Sequence, residues 1–275
     1  MLEPNVIKDE ELEILLIDVF SKYGYDFTQY SKASLKRRVN RICLIDKFTS
    51  FAELRYRLLN HPEYLQRFVE EITVNVTEMF RDPTFFKALR EKVLPQLGTY
   101  PFIRIWLAGC STGEEAYSMA ILLKEANLYR RSLIYATDIN PGVLEKASKG
   151  IFPIAQMKQY SENYIVSGGK EDFSSYYMAN YDMAKFDKEL SERIIFSTHN
   201  LVSDSSFNEF QLVICRNVLI YFDKELQNHV FRLFDESLDN LGFLALGSKE
   251  TIRFSNLENR YKQFEGEKIW RKNMQ

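Results

Sequence analysis

The stretch Ile105-Trp-Leu-Ala-Gly-Cys-Ser-Thr-Gly-Glu-Glu-Ala-Tyr-Ser-Met-Ala120, followed by a helical run and then by Leu133-Ile-Tyr-Ala-Thr-Asp138, decides the fold. A short apolar run ends in a Gly-rich turn, an amphipathic helix follows, and a second apolar run ends in an acid. That order is one strand–loop–helix–strand unit of a nucleoside-binding parallel sheet. Gly109 and Gly113 let the backbone approach a ligand closely. Asp138 falls where such folds place a carboxylate on the two ribose hydroxyls.

The first turn of the helix narrows the ligand. A dinucleotide site sets its pyrophosphate on the helix N-terminus, but here Glu114 and Glu115 occupy that turn. Two carboxylates repel a pyrophosphate and suit a ligand that carries an ammonium and a sulfonium, as S-adenosylmethionine does. A nicotinamide-dependent dehydrogenase is disfavoured on the same ground. Both glutamates would also complement the helix dipole, and that simpler role stays open, above all for Glu114.

Outward from this unit, the composition excludes several classes. The net charge of −2 gives no global pull toward nucleic acid or membrane. No apolar run approaches the ~20 residues of a membrane helix. Met1-Leu-Glu-Pro-Asn5 lacks the basic-then-apolar order of a signal peptide, so a cytoplasmic protein is expected. Cys43, Cys110 and Cys215 are odd in number and widely spaced, which fits reduced thiols. His61, His199 and His229 form no metal-ligand pattern, and no metal is expected.

Upstream, the sequence reads as a small all-helical domain. Helices are expected at Glu10–Tyr23, stopped by Gly24, at Ser34–Ile45, at Thr49–Leu59 and at Pro62–Ile72. The second carries Lys36, Arg37, Arg38 and Arg41 opposite its apolar face. This is either a solvated face or a docking surface for an acidic partner helix. A polar stretch, Asn75-Val-Thr-Glu-Met-Phe-Arg-Asp-Pro83, then leads into a helix over Pro83–Leu94. Asn75, Thr77 and Arg81 would line one side of an irregular segment lying over a ligand.

Downstream, Pro141–Lys149 reads as a helix, and 151–191 as an insertion with an antiparallel extension. Strands follow at Glu192–Thr198 and Gln211–Cys215, a helix at Asp223–Leu241, a strand at Gly242–Ser248 and a terminal hairpin through Glu265-Gly266-Glu267. Ligands of open α/β sheets lie outside the carboxyl ends of the strands. The polar residues converging there are Gly109–Glu115, Asp138, Asn200 with Leu201, and Arg216 with Asn217. Asn200 is expected on the adenine with Leu201 packed against it. No nucleophile–base pair is evident. Methyl transfer needs none, and a carboxylate acceptor is already ionised at neutral pH. Arg81 and Tyr221 fit the task of orienting such an acceptor.

Together the motifs closely resemble the CheR-type chemotaxis-receptor glutamate methyltransferases. The matching stretches are Ser34-Leu-Lys-Arg-Arg38, Asn75-Val-Thr-Glu-Met-Phe-Arg-Asp82, Ala108-Gly-Cys-Ser-Thr-Gly-Glu-Glu115, Ala136-Thr-Asp-Ile139 and Cys215-Arg-Asn-Val-Leu-Ile-Tyr-Phe-Asp223. The resemblance implies a Rossmann-like class I methyltransferase sheet with helices on both faces, preceded by the helical domain and carrying a small antiparallel β insertion. It implies a docking domain over residues 1–74 and an S-adenosylmethionine-binding α/β domain over residues 75–275. It implies cofactor contacts from Asn75, Thr77, Arg81, Glu115, Asp138, Asn200, Leu201, Arg216 and Asn217, with Arg81 and Tyr221 nearest the transferred methyl. It implies docking of acidic receptor helices by the basic helix and release of glutamate methyl ester and S-adenosylhomocysteine. A monomer is expected. Two alternatives stay open: a methyltransferase for a non-chemotactic signalling protein, and a catalytically weak S-adenosylmethionine-binding scaffold.

Overall fold

The computed structural model describes residues 7–73, 75–264 and 266–274. Met1–Asn5 and Glu265, on which two of the expectations above bear, lie outside them. The chain divides into two compact units, one running to Asn75 and including Leu219–Val230, the other comprising Val76–Val218 and Phe231 onward.

The first unit is helical: α1 (Asp9–Tyr23), α2 (Lys32–Ile45), α3 (Phe51–Asn60) and α4 (Pro62–Ile72). Each helix buries its periodic apolar stripe. Leu12, Leu15, Leu16 and Val19 of α1, Leu35, Val39 and Ile42 of α2, Leu54 and Leu58 of α3, and Phe68, Val69 and Ile72 of α4 are all buried. Gly24 closes α1 in the left-handed conformation, and its N–H donates to Phe20 O. The Ser50 side chain caps α3. The later segment Leu219–Val230 joins this unit through backbone bonds from Ser31 N to Tyr221 O (2.8 Å) and from Asp223 N to Gln29 O (3.0 Å). The Tyr30 and Phe222 rings meet edge-on there.

In the second unit, α5 (Pro83–Ala88) continues through a π-helical turn at Leu89–Val93 into α6 (Leu94–Leu97), so this helix runs past the expected Leu94. Then come β1 (Ile103–Ala108), α7 (Glu114–Glu125), β2 (Ser132–Asp138) and α8 (Pro141–Lys149). The insertion holds β3 (Ile151–Pro153), α9 (Met157–Val166), β4 (Tyr177–Asn180) and β5 (Met183–Phe186), which form an antiparallel sheet in the order β3-β5-β4. After it come β6 (Ile194–Thr198), β7 (Phe210–Cys215), α10 (Lys224–Ser237), β8 (Leu238–Leu246), β9 (Tyr261–Gln263) and β10 (Ile269–Lys272). Helix α10 stops short of the expected Leu241 because Leu238–Leu241 is drawn into β8. Leu238 pairs with Phe210, and the register shift that follows is taken up around Leu241, which has φ +63°.

The main sheet has the order β6-β2-β1-β7-β8-β10-β9. Its first five strands are parallel and the last two antiparallel. β7 is buried at every position, as a central parallel strand must be. Trp106 on β1 is fully buried, donates its indole N–H to Thr137 Oγ1 at 2.8 Å, and is ringed by Phe207, Phe210 and Phe234. Truncating it leaves a cavity that these rings cannot close. Trp106→Ala is expected to destabilise the α/β unit by about 3–5 kcal/mol, read from urea unfolding followed by far-UV dichroism.

Candidate cofactor site

In the main sheet the chain runs from β1 outward to β2 and β6 on one side, and from β7 to β8 on the other. The carboxyl ends of β1 and β7 therefore border a topological switch point, where open α/β sheets bind ligands. Loop 109–113 leaves β1 there, and loop 216–218 leaves β7. The two touch closely. Gly109 has φ +80°, and a Cβ on it would lie 2.4 Å from Val218 Cγ2, so only glycine fits.

Asp138 ends β2 and is buried. Its Oδ2 accepts from Ser111 N at 2.9 Å and its Oδ1 from Asn140 N at 3.0 Å. Burial pushes its carboxyl up, and these backbone donors oppose the shift. The Ile139 backbone N–H also favours the ionised form. An ionised carboxylate has about four acceptor directions, so acceptor capacity remains for a ligand hydroxyl. Ser111 Oγ and Asn140 Nδ2 beside it are buried with no partner among the described residues. A carboxylate with spare acceptor capacity and two unsatisfied polar atoms fits a ribose and its polar surroundings.

The two glutamates of α7 separate. Glu114 is buried, accepts from Thr112 Oγ1 at 2.7 Å, and has its carboxyl pushed up by burial. Its burial and its bond to Thr112 fit the helix-start role. Glu115 stays partly exposed and accepts from Arg216 Nη1 at 2.9 Å. Arg216 is itself buried. Its Nη2 donates to Asp82 Oδ2 at 2.6 Å and Arg81 O at 3.0 Å, and its guanidinium carbon lies 4.1 Å from the Phe85 ring centroid. Only Nε is left without a partner among the described residues. Expected as a cofactor contact, the Arg216 side chain is largely committed to protein groups, and it positions Glu115 and the segment at 81–82.

That segment is strained. Phe80 has φ +52° and Asp82 φ +57°, left-handed values for non-glycine residues. Phe80 N donates to Ser118 Oγ at 2.9 Å, and Asn163 Nδ2 of α9 donates to Met79 O at 3.1 Å. Arg81 Nη1 donates to Val76 O at 2.9 Å across half-buried Thr77. At the β6 end, Asn200 Oδ1 accepts from Val202 N at 3.0 Å in an Asx turn, and Leu201 is buried. Asn217 follows Arg216 with φ +62°.

Two expected site residues belong to the helical unit. Asn75 Nδ2 approaches Glu70 O at 3.4 Å. The Tyr221 ring lies under the Arg38 guanidinium, 5.2 Å from carbon to centroid. Arg38 also donates to Ile72 O at 2.9 Å, so it ties α2 to the end of α4. Lys36 pairs with Asp9 at 2.6 Å and Arg41 with Glu71. Arg37 is exposed and has no partner among the described residues. The basic face is thus mostly neutralised within its own unit.

No thiol or imidazole is set up as a nucleophile. Cys110 and Cys215 are buried and free, and burial pushes both thiols well up. Burial pushes the His199 imidazole down, toward its neutral form. No group of three or more His, Cys, Asp or Glu among the described residues is arranged to hold a metal, and no described helix is long and apolar enough to cross a membrane. The sequence reading passed over Asp82, Ser118, Asn163 and Glu250. The clue to Asp82 was its place beside Arg81 in a polar segment; the others become visible only through contacts made at long sequence separation.

Sheet order, switch-point loops and strand-end carboxylate together define a class I methyltransferase with S-adenosylmethionine as its cofactor. Comparison with known proteins narrows the class. Residues 75–269 match the family model for the CheR methyltransferase SAM-binding domain, and residues 10–73 match the all-alpha domain of the same family. The chain is 46% identical over 265 residues to Cher3 of Pseudomonas putida, covering 96% of this chain and 97% of that one. It is 33% identical over 231 residues to a chemotaxis protein methyltransferase of Listeria monocytogenes, covering 83% and 85%. It is 34% identical over 232 residues to that of Salmonella typhimurium, covering 81% and 75%. The chain belongs to the CheR methyltransferase family, as its motifs implied, and these relatives support an enzyme of the protein-glutamate methyltransferase type.

Because burial holds the Asp138 carboxyl above the ordinary carboxylate range, its acceptor form is lost on acidification at a higher pH than for an exposed aspartate. S-adenosylhomocysteine affinity is expected to weaken as the pH falls toward that range. Asp138→Asn is expected to bind at least about tenfold more weakly at neutral pH, from one lost charge-assisted bond pair, and to lose that part of the pH dependence. Isothermal titration at stepped pH values checks both; an unchanged Kd removes Asp138 from the ligand.

Proposed function

We propose that the protein transfers a methyl group from S-adenosylmethionine to glutamate side-chain carboxylates of a chemoreceptor-like signalling protein, giving the glutamate methyl ester and S-adenosylhomocysteine. The observation that carries this reading is the convergence of Asp138, the Arg216-held Glu115 and loop 109–113 at the switch point, in a chain whose relatives are named chemotaxis protein methyltransferases. When bound, the cofactor supplies an electrophilic methyl on a sulfonium.

The residues of the chain then have separable tasks. Asp138 holds the ribose hydroxyls, and Gly109 allows the backbone to come close. Glu115 takes the ammonium of the methionine part, its position set by Arg216. Asn200 contacts the adenine, with Leu201 against the ring. Asn75, Thr77 and Asn217 complete the cofactor contacts. Arg81 orients the acceptor carboxylate as a cation, and Tyr221 steadies it as a hydroxyl donor. Neither needs to remove a proton, since the acceptor is ionised at neutral pH. The acceleration comes from in-line placement at about 3–3.5 Å.

Residues 1–74 form the docking domain in this proposal, and residues 75–275 the transfer domain. Lys36, Arg37, Arg38 and Arg41 meet acidic receptor helices. The protein acts as a cytoplasmic monomer.

A labelled-methyl assay against the organism's own receptors, with base-labile methanol release as readout, tests the reaction. Label that stays base-stable overturns ester formation. Tyr221→Phe is expected to lower kcat by about tenfold or more while leaving the S-adenosylhomocysteine Kd unchanged. Since Lys36, Arg38 and Arg41 have intramolecular partners, Arg37→Glu is the clean test of docking. It is expected to raise the KM for the receptor severalfold, more at low salt than at high, with cofactor affinity unchanged. An unaltered receptor KM removes the basic face from recognition.

A further inference from the structure

We infer that Glu250 is a positioning residue for the cofactor crevice; this rests on the assignment of the β1–β7 switch point to S-adenosylmethionine. Parallel pairing of β7 with β8 ends at Cys215 and Leu246. Beyond that rung the two chains diverge, and their next N–H groups have no strand partner. Glu250 replaces the missing rungs. Its Oε2 accepts from Asn217 N at 2.9 Å and from Gly247 N at 2.7 Å, and its Oε1 accepts from Val218 N at 2.9 Å. The residue is 4% exposed. A carboxylate that deep is tolerated because three N–H donors solvate it with charge-assisted bonds.

The staple requires close approach. A Cβ on Gly247 would lie 2.6 Å from Glu250 Oε2 and 2.9 Å from Asn217 N. Asn217 is held at φ +62°, a conformation costly for most side chains and tolerated by Asn.

What Glu250 holds is the loop that shapes the crevice. Arg216, one residue before the stapled N–H groups, fixes Glu115 and Asp82. Val218, one of the stapled residues, has its Cγ2 seated on Gly109. One buried carboxylate therefore sets the spacing of the loops after β1 and β7, and through Arg216 the placement of the carboxylate on α7. It acts through these groups rather than on the cofactor itself.

Isothermal titration with S-adenosylhomocysteine tests the inference, because it reports Kd separately from the binding-competent fraction. Glu250→Gln keeps the size but turns an N–H donor toward a backbone N–H. It is expected to raise the Kd at least about tenfold at full stoichiometry, and the cofactor KM with it, while the receptor KM stays unchanged. Asp235→Asn is the control. Asp235 is equally buried but bonds Tyr261 and Arg260 away from the crevice, and its variant is expected to lower Tm without altering the Kd. Val218→Ala removes the methyls seated on Gly109 and is expected to raise the Kd severalfold with little change in Tm, which keeps the idea testable if Glu250→Gln does not fold. A Glu250→Gln protein with wild-type Kd overturns the inference, as does a Val218→Ala protein with wild-type Kd or an Asp235→Asn protein whose Kd rises as much. Failure of the wild type to bind S-adenosylhomocysteine would instead overturn the cofactor assignment.

Discussion

The cofactor site depends on a buried guanidinium. Arg216 sits at the end of a strand buried along its whole length, where an uncompensated positive charge would be costly. It is compensated on one side by Glu115 and on the other by Asp82 and a backbone carbonyl, and its flat face lies on Phe85. Each partner is thereby fixed. Glu115 is held at the start of α7, and the segment before α5 keeps the unusual backbone at Phe80 and Asp82. Removing the arginine would leave two carboxylates close together with nothing between them.

The same logic separates residues that look alike in sequence. Glu114 and Glu115 are neighbours on one helix turn, about 100° apart around the axis. That rotation sends one carboxylate inward to Thr112 and the other toward Arg216 at the sheet's carboxyl edge. On α2, Lys36, Arg37, Arg38 and Arg41 read as one basic face. Folding gives Lys36 and Arg41 acidic partners and turns Arg38 into a tie between α2, α4 and Tyr221, leaving Arg37 as the cation of this face without a partner among the described residues. A charge run in sequence therefore overstates the free charge on the folded surface.

The element pattern was largely legible because periodicity and punctuation are local. The Gly-rich turn, the strand-end acid and the helical stripes of the first unit are written in consecutive residues. Misjudged boundaries lie where two periods compete. Leu238 and Leu241 satisfy the apolar stripe of a continued helix, yet pairing with Phe210 draws this segment into a strand. Within the insertion, Phe173–Tyr176 forms a short 3-10 turn started by the Asp172 cap, and the strand begins only at Tyr177.

By itself the sequence determined the class of sheet, the cationic character of the cofactor and the family. Each of these rests on residue types at short fixed spacings, which survive without knowledge of distant contacts. Only the tertiary structure decided which polar groups remain available. Asp138 keeps spare acceptor capacity after bonding Ser111 and Asn140, Arg216 is occupied by Glu115 and Asp82, and Glu250 joins the ends of β7 and β8. These pairings span from a few residues to more than a hundred, and a buried polar group takes whatever partner the fold brings within reach. The opening stretch could therefore name the ligand class, but not how its own loop is held.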